Sequence, residues 1–322
     1  MYQEIVIPTL ISFAISVALG PIMIPFLRKL KVGQTVRDEG PESHLKKNGT
    51  PTMGGLLILT AMTVTSLFFI KSYPKIIPIL FLTLGFGLIG FLDDYIKVVL
   101  KRSMGLRAWQ KFALQLIVTG VFAYYLCAYT DVSLAFRIPF ASGQYIDFGI
   151  FNIPLLFFVV LGTVNGTNFT DGLDGLATSV TILVATFFTA CAIGLGAPIT
   201  PVTCAAVGAL LGFLLFNGYP ASVFMGDTGS LALGGALASL ALLTGTEFLL
   251  VLVGGIFVIE ALSVIIQVSY FKLTNGKRIF KMSPIHHHFE LSGLHEVQVT
   301  ARFTIISVIL ALLGVLYCLG GL

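Results

Sequence analysis

The chain has 322 residues, of which 56% are hydrophobic and 11% are charged, and its formal net charge is +4 at pH 7. Soluble domains carry about 25% charged residues, so this composition excludes an ordinary water-soluble protein. The small positive charge gives no reason to expect a nucleic-acid partner, because membrane topology explains where the basic residues lie. We expect an all-α polytopic membrane protein that forms one domain over residues 1–322.

Ten apolar runs approach the length needed to cross about 30 Å of hydrocarbon. They are residues 5–27, 53–70, 76–92, 109–129, 154–169, 175–194, 201–216, 229–245, 248–271 and 302–320. Sixteen of the nineteen Lys and Arg residues fall in alternate loops, which the positive-inside rule places in the cytoplasm. The sequence therefore predicts about ten transmembrane helices, with both termini outside.

The loop before the second run ends in two lysines and a Gly-Thr-Pro-Thr turn. Ammonium groups, hydroxyls and free backbone N–H groups are together suited to holding phosphate, which makes Lys46, Lys47 and Thr52 candidates. Positive-inside charge and a helix N-cap at Thr50 or Thr52 explain the same residues. Taken alone, these residues favour the second interpretation.

The third run leads directly into Asp93 and Asp94, followed by Lys97. If the helix continues through them, Asp93 and Lys97 share a face, while Asp94 points about 100° away toward Lys101. Two adjacent carboxylates repel each other, and a divalent cation or a shared proton relieves that repulsion. A functional site and a solvated helix cap are equally open at this point.

Two stretches indicate structure rather than chemistry. Gly85, Gly87 and Gly90 match a nucleotide-binding pattern, but no strand precedes them, so they indicate close helix packing. The external segment 130–153 alternates weakly and turns at a glycine, which predicts a small β-hairpin.

The loop after the fifth run has no positive charge, although the topology places it in the cytoplasm. Its residues Asn168, Asp171 and Asp174 recur at i+3, so helical turns would place them on one face as partners for a polar ligand. Asn165 precedes them in the same loop. An EF-hand is excluded because the glutamate required at the twelfth position is missing.

A second loop is uncharged except for Asp227, which lies in a Gly-Asp-Thr-Gly turn that leaves the carboxylate exposed. Phe224, three residues earlier, is either an interfacial anchor or a platform for a planar base, and the anchor is the commoner role. Asn217 begins this loop.

The ninth run carries Glu260 near its middle, where we expect a structural partner rather than catalysis. Three consecutive histidines, residues 286–288, follow in the next loop; they cannot all face one way, so at most two serve one ligand. Their spacing does not suit zinc. Four cysteines in predicted spans are expected to be buried apolar thiols with no metal or redox role: Cys127, Cys191, Cys204 and Cys318.

Apart from Glu260, the unusual polar and charged residues described above fall at the predicted cytoplasmic ends of helices. Carboxylates can hold a hard cation, and Lys, Arg and His side chains can hold phosphate. Phosphoryl transfer needs both, because metal and fixed cations neutralise the charge that keeps two anions apart. A site at the membrane surface also indicates that one reactant is a lipid.

Five stretches resemble, in order, the signatures of the bacterial phospho-N-acetylmuramoyl-pentapeptide-transferase family, in the polyprenyl-phosphate N-acetylhexosamine-1-phosphate transferase superfamily. They are residues 44–55, 93–97, 165–174, 226–230 and 285–290. The resemblance implies a plasma-membrane enzyme of peptidoglycan synthesis that uses Mg²⁺. It would move phospho-MurNAc-pentapeptide from UDP-MurNAc-pentapeptide to undecaprenyl phosphate, giving lipid I and UMP. Whether the chain forms a homodimer, and whether attack is direct or passes through a covalent aspartyl intermediate, stays open.

Applied to this sequence, the resemblance implies that Asp227 ligates Mg²⁺. It implies that Asp93 is the base or orients the lipid phosphate, with Asp94 and Lys97 beside it. His286 is the remaining implied catalytic residue. The implied substrate-binding residues are Lys46, Lys47, Thr52, Asn165, Asn168, Asp171, Asp174, Asn217, Phe224, His287 and His288. Uracil would stack on the phenyl ring of Phe224.

Three rival functions are weaker. A sister enzyme that moves phospho-GlcNAc onto the same lipid shares the acidic motifs, but the histidine stretch favours the muramoyl member. An intramembrane aspartyl protease is suggested by Met225-Gly226-Asp227, yet it would need both acids within the bilayer. A transporter is disfavoured because no acid–base pair recurs at the midplane of two inverted halves.

Overall fold

The computed structural model describes residues 2–30, 49–102, 104–130, 132–138 and 144–320. The helices are α1 (Tyr2–Lys29), α2 (Gly55–Leu67), α3 (Ile76–Val98), α4 (Ala108–Tyr129), α5 (Asn152–Thr170), α6 (Leu176–Gly194), α7 (Thr200–Asn217), α8 (Gly226–Thr244), α9 (Glu247–Val253), α10 (Gly255–Leu273), α11 (Ile285–Glu290) and α12 (Glu296–Gly320). Strands β1 (Phe136–Arg137) and β2 (Tyr145–Ile146) pair antiparallel between α4 and α5. The all-α class and the small hairpin are both confirmed.

Within the described ranges, nine helices are long and apolar enough to cross a membrane, which confirms a polytopic membrane protein. Two predicted spans differ from the structure. Helix α2 has only 13 residues, because bonds from Phe68 N–H to Thr65 O and from Phe69 N–H to Ser66 O tighten its end into a 3₁₀ turn. The predicted run 248–271 is divided at Gly254 into α9 and α10, as glycine is a poor helix former.

Helix α8 is the centre of the bundle. Only Asp227 and Thr244 of its 19 residues are not buried, and it packs against α2, α3, α5 and α6. Small residues permit this close approach. A Cβ at Gly90 of α3 would collide with the Asp227 carbonyl group, which confirms the packing interpretation of that glycine. The acidic end of α3 therefore lies against the first turn of α8.

The expected burial of the four cysteines is confirmed at three positions. Cys191, Cys204 and Cys318 are buried, and the sulfur atoms of Cys191 and Cys318 lie 2.9 Å apart between α6 and α12. The prediction for Cys127 was wrong, because this residue faces outward from α4 and is exposed.

Candidate active site

Three carboxylates meet at one end of the bundle, where α3 ends and α8 begins. Asp93, Asp94 and Asp227 each place one oxygen within 4.8 Å of the others. The start of α4 and the end of α5 add Lys111 and Asn168 to the same cluster. The fold thus joins residues that are more than a hundred positions apart in the chain.

Asp94 caps the first turn of α8. Its Oδ2 accepts hydrogen bonds from the Thr228 N–H at 2.9 Å and the Thr228 hydroxyl at 2.6 Å, and its Oδ1 accepts one from the Asp227 N–H at 3.2 Å. Helix α3 continues through both acids, which is the condition set in the sequence analysis, but the direction of Asp94 toward Lys101 expected on that condition is wrong. The unpaired N–H groups at the start of α8, and the helix dipole, attract this carboxylate instead.

Asp93 is also engaged on both oxygens. Its Oδ1 accepts a hydrogen bond from the Leu106 N–H at 2.7 Å, and its Oδ2 forms an ion pair with Lys97 one turn along α3. The predicted shared face of Asp93 and Lys97 is therefore confirmed. The side chain of Asp93 is buried, so its main contacts are with the protein rather than with water.

Asp227 is the most accessible of the three acids, with 16% of its side chain exposed. Its Oδ2 lies 2.9 Å from Lys97 Nζ and 3.0 Å from Lys111 Nζ. Its Oδ1 accepts a 2.7 Å hydrogen bond from the Asn168 amide, which also donates to the Ser230 hydroxyl at 2.9 Å. This carboxylate accordingly gathers two ammonium groups and one amide around it.

Sequence reasoning missed Lys111. The residue belongs to a basic stretch that the positive-inside rule already explained, so its charge carried no separate signal. Only the packing of α4 beside α5 and α3 places its ammonium group on Asp227.

The predicted common face of Asn168, Asp171 and Asp174 is wrong. Helix α5 ends at Thr170, and the chain turns through Gly175 at a φ of +70° before α6 begins. Asn168 points to Asp227, whereas Asp174 accepts the Ala221 N–H at 2.9 Å and holds the loop before α8. These side chains diverge because they occupy a loop instead of further helical turns.

Asp171 lies in this loop within electrostatic reach of the cluster. Burial, followed by the negative charges of Asp227 and Asp94, raises the pKa of its carboxyl to about 8. A hydrogen bond from the Gly226 N–H opposes this increase in part. The protonated form of this carboxyl is therefore favoured more than that of a solvent-exposed aspartate.

The segment around Phe224 is held by the turn that precedes α2. The Phe224 N–H donates to Pro51 O at 2.8 Å, and the Gly54 N–H donates to Phe224 O at 2.8 Å. Thr52 is buried between these bonds, and a Cβ at Gly226 would meet its hydroxyl at 2.6 Å. The two predicted loops thus form one backbone-paired unit, with the half-buried phenyl ring of Phe224 at its edge.

Asn217 supports the same unit from inside. Its Oδ1 accepts the Thr178 hydroxyl at 2.6 Å, and its amide nitrogen donates to Val223 O at 3.1 Å. The side chain is buried, so the structure gives it a supporting role beside Phe224.

Asn165 is bonded away from the cluster. Its amide nitrogen donates to Gln115 Oε1 at 3.0 Å and to Leu161 O at 2.8 Å. Lys46 and Lys47 lie outside the described residues.

The three histidines do not all face one way, as the sequence predicted: the ring centroids of His286 and His287 lie 4.1 Å apart, whereas His288 faces Lys281. His286 is buried and places Nδ1 at 3.0 Å from Glu260 Oε1, so the expected structural partner of Glu260 is found. His287 Nδ1 lies 2.9 Å from Glu290. His288 Nδ1 accepts the Lys281 N–H at 3.1 Å, which turns this ring away from the other two.

Comparisons with known proteins agree with the motifs. Residues 76–245 match the family model of glycosyl transferase family 4, and residues 47–59 match signature 1 of phospho-N-acetylmuramoyl-pentapeptide-transferases. A relative from Clostridium kluyveri is 49% identical over 318 residues, covering 98% of this chain and 99% of the relative. Relatives from Clostridium perfringens (52% over 309 residues, covering 95% and 96%) and Acetivibrio thermocellus (51% over 308 residues, covering 95% and 92%) are similar. All three relatives are named phospho-N-acetylmuramoyl-pentapeptide-transferase.

Proposed function

The chain belongs to the phospho-N-acetylmuramoyl-pentapeptide-transferase family, and from that membership we propose that it transfers phospho-MurNAc-pentapeptide from UDP-MurNAc-pentapeptide to undecaprenyl phosphate. The products are UMP and lipid I, a lipid-linked precursor of peptidoglycan. The enzyme acts as a multi-pass protein of the bacterial plasma membrane, where its lipid substrate resides.

One observation supports this reaction more than any other: two ammonium groups converge on a carboxylate that has two more carboxylates beside it. In the reaction, an oxygen of undecaprenyl phosphate attacks the β-phosphorus of the nucleotide substrate. The bond from that phosphorus to the bridging oxygen breaks, and UMP leaves with the bonding electrons. Attack brings two phosphate anions together, and Lys97 and Lys111, each within 3.0 Å of Asp227 Oδ2, supply the opposing charge.

The acidic cluster fits Mg²⁺. This ion prefers carboxylate and water oxygens, and Asp93, Asp94 and Asp227 offer three such oxygens within 4.8 Å of one another. Asp227 is the principal ligand in this proposal, because 16% of its side chain is exposed whereas Asp93 and Asp94 are buried. When bound, the ion neutralises charge on the diphosphate.

The remaining groups orient the reactants. Asp93 fixes the Lys97 ammonium, and Asn168 fixes the Asp227 carboxylate. Asp171 accepts a hydrogen bond from the Gly226 N–H and so helps to hold the start of α8 beside the diphosphate. Phe224 stacks on uracil, with Thr52 and Asn217 supporting its loop from behind and Lys47 adding charge on the diphosphate.

Release of UMP from UDP-MurNAc-pentapeptide by the purified protein tests this proposal, with undecaprenyl phosphate present or omitted. We expect UMP and lipid I only when the lipid is present, which is the result for direct transfer. UDP-GlcNAc in place of the muramoyl nucleotide is the matched control and should give no product. Transfer from UDP-GlcNAc alone would contradict the proposed substrate.

A further inference from the structure

Glu260 and His286 form a buried pair behind the acidic cluster. Glu260 lies in α10 and is 0% exposed, His286 lies in α11 and is 1% exposed, and Nδ1 of the ring is 3.0 Å from Glu260 Oε1. A carboxylate can only accept, so the hydrogen of this bond belongs to Nδ1. The bond fixes both the plane of the imidazole and the nitrogen that faces away from α10.

The other edge of the ring lies against the acidic loop. A Cβ at Gly172 would collide with His286 Nε2, so this ring nitrogen rests directly on the loop backbone. Gly172 follows Asp171, whose pKa responds to Asp227, and it precedes Asp174, which holds the loop before α8. Contacts thus run from Glu260 through His286 to Gly172, which lies between the two acids of this loop.

A contribution to folding stability does not explain why Glu260 and His286 are present as a buried pair. Among the described residues, Glu260 Oε2 and His286 Nε2 are buried without a hydrogen-bond partner, and each such group costs free energy on burial. An apolar side chain of similar size at position 260 would avoid that cost. A buried acid in a membrane helix is therefore better explained by what it does to its partner.

We propose that Glu260 is a positioning residue of the transferase site, which holds the His286 imidazole against Gly172 and so fixes the Asp171–Asp174 loop beside Asp227. This role rests on the function proposed above. It acts through the hydrogen bond to Nδ1, in the way that outer carboxylates orient histidines at other sites. His286 Nε2 then rests against the loop backbone at Gly172.

The test compares two substitutions in the UMP-release assay. Glu260→Gln keeps an accepting oxygen at the same distance, so kcat should stay within about threefold of the unmodified protein. Glu260→Leu keeps the volume but removes the acceptor, so kcat should fall by roughly 10- to 100-fold, the loss typical of removing an orienting partner. The KM for the nucleotide should change less than about threefold, because Phe224 is held by other elements.

Two controls separate positioning from folding. Glu247 is a second buried glutamate with an unpartnered oxygen, but it begins α9 at the opposite end of the bundle. Glu247→Leu should leave kcat unchanged in protein that melts cooperatively. His286→Ala should reduce kcat as much as Glu260→Leu does, and the double variant should lose no more than either single variant.

Three results would overturn the proposal: an unimpaired Leu variant, a Gln variant as impaired as the Leu variant, or losses that multiply in the double variant. The ¹⁵N chemical shifts of His286 give a readout that does not depend on the reaction. We expect a protonated Nδ1 in the unmodified protein and in Glu260→Gln, and a change of tautomer in Glu260→Leu. If the unmodified protein releases no UMP, the proposed function fails while these shifts still decide the role of Glu260.

Discussion

Asp227 receives polar contacts from Lys97, Lys111 and Asn168, which lie on three different helices. Substitution of Asp227 should therefore disturb all three contacts. Asp227→Asn replaces one oxygen by an amide that cannot accept from Lys97 or Lys111, so we expect transfer to be lost at every Mg²⁺ concentration. UMP release and thermal melting in detergent measure the effect and confirm that the variant is folded. Activity within tenfold of the unmodified protein, about 1.4 kcal/mol of barrier, would remove Asp227 from the metal role.

Phe224 is expected to stack on the uracil base of the nucleotide. Stacking contributes about 1–3 kcal/mol by alanine substitution, so Phe224→Ala should weaken UDP binding roughly 5- to 150-fold. Phe224→Tyr is the matched control, because it retains an aromatic face on the same backbone-paired loop. Calorimetric titration with UDP measures both variants. Equal affinity in the Ala variant and the unmodified protein would make Phe224 an interfacial anchor.

Asp171 should make stability depend on pH. Its pKa is raised from near 4 to about 8 in the folded protein, so between those values the folded form keeps a proton that the unfolded form has lost. Stability must then fall as pH rises through this window and level off above it. Asp171→Asn removes the titration, and the stability difference between the two proteins should shift by roughly 2 kcal/mol from pH 6 to 8. Parallel melting curves for the two proteins would contradict this shift.

For individual residues, the sequence identifies the acidic side chains of the site better than it identifies their roles. Asp93, Asp94 and Asp227 stand out because carboxylates are rare in so apolar a chain. Their partners come from distant segments, and spacing cannot place Lys111 on Asp227 or the start of α8 on Asp94. When membrane topology already explains the charge of a side chain, as it does for Lys111, that charge does not indicate a functional role from sequence alone.

The first turn of helix α8 requires a glycine at position 226. Gly226 has a φ of +74°, and a Cβ there would lie 2.6 Å from the Thr52 hydroxyl and 2.7 Å from Asp94 Oδ2. Gly226→Ala should therefore lower the free energy of unfolding by more than the roughly 1–2 kcal/mol that a left-handed backbone alone costs. It should also reduce transfer, because it displaces the Asp94 cap.

Gly196 provides the matched control for that substitution. Its φ is +64°, but a Cβ added at this position would meet nothing within 4 Å. Gly196→Ala should lower the melting temperature through backbone strain only and leave UMP release intact. Similar melting temperatures and activities for the two alanine variants would mean that the contacts around Gly226 are unimportant.

Helix positions are more predictable than helix ends. Nine of the ten apolar runs correspond to one helix each, and the run 248–271 corresponds to two, because the bilayer demands hydrogen-bonded segments. The break at Gly254 and the short α2 were not predicted, since neither changes the hydrophobicity of its run. The short α2 arises from the tightened turn at its end, and the break arises from the glycine at position 254; hydropathy distinguishes neither position.

For the whole molecule, the positive-inside rule predicts that the acidic cluster faces the cytoplasm. Ser72, between α2 and α3, and Ser292, after α11, are exposed near opposite ends of this topology. In a chain whose four cysteines are replaced by alanine, an impermeant maleimide should label Ser72→Cys in intact cells. It should label Ser292→Cys only after permeabilisation. The reverse labelling pattern would invert the orientation.

The short helix α2 has a consequence for the backbone at its ends. Its 13 residues span about 20 Å, against about 30 Å of hydrocarbon. Non-helical backbone within the hydrocarbon must find its hydrogen-bond partners inside the protein. At the start of α2, the Gly54 and Gly55 N–H groups donate to Phe224 O and Met225 O at 2.8 and 2.9 Å. The loop before α8 therefore satisfies the entrance of α2 and is fixed by it, so a change that displaces one should displace the other.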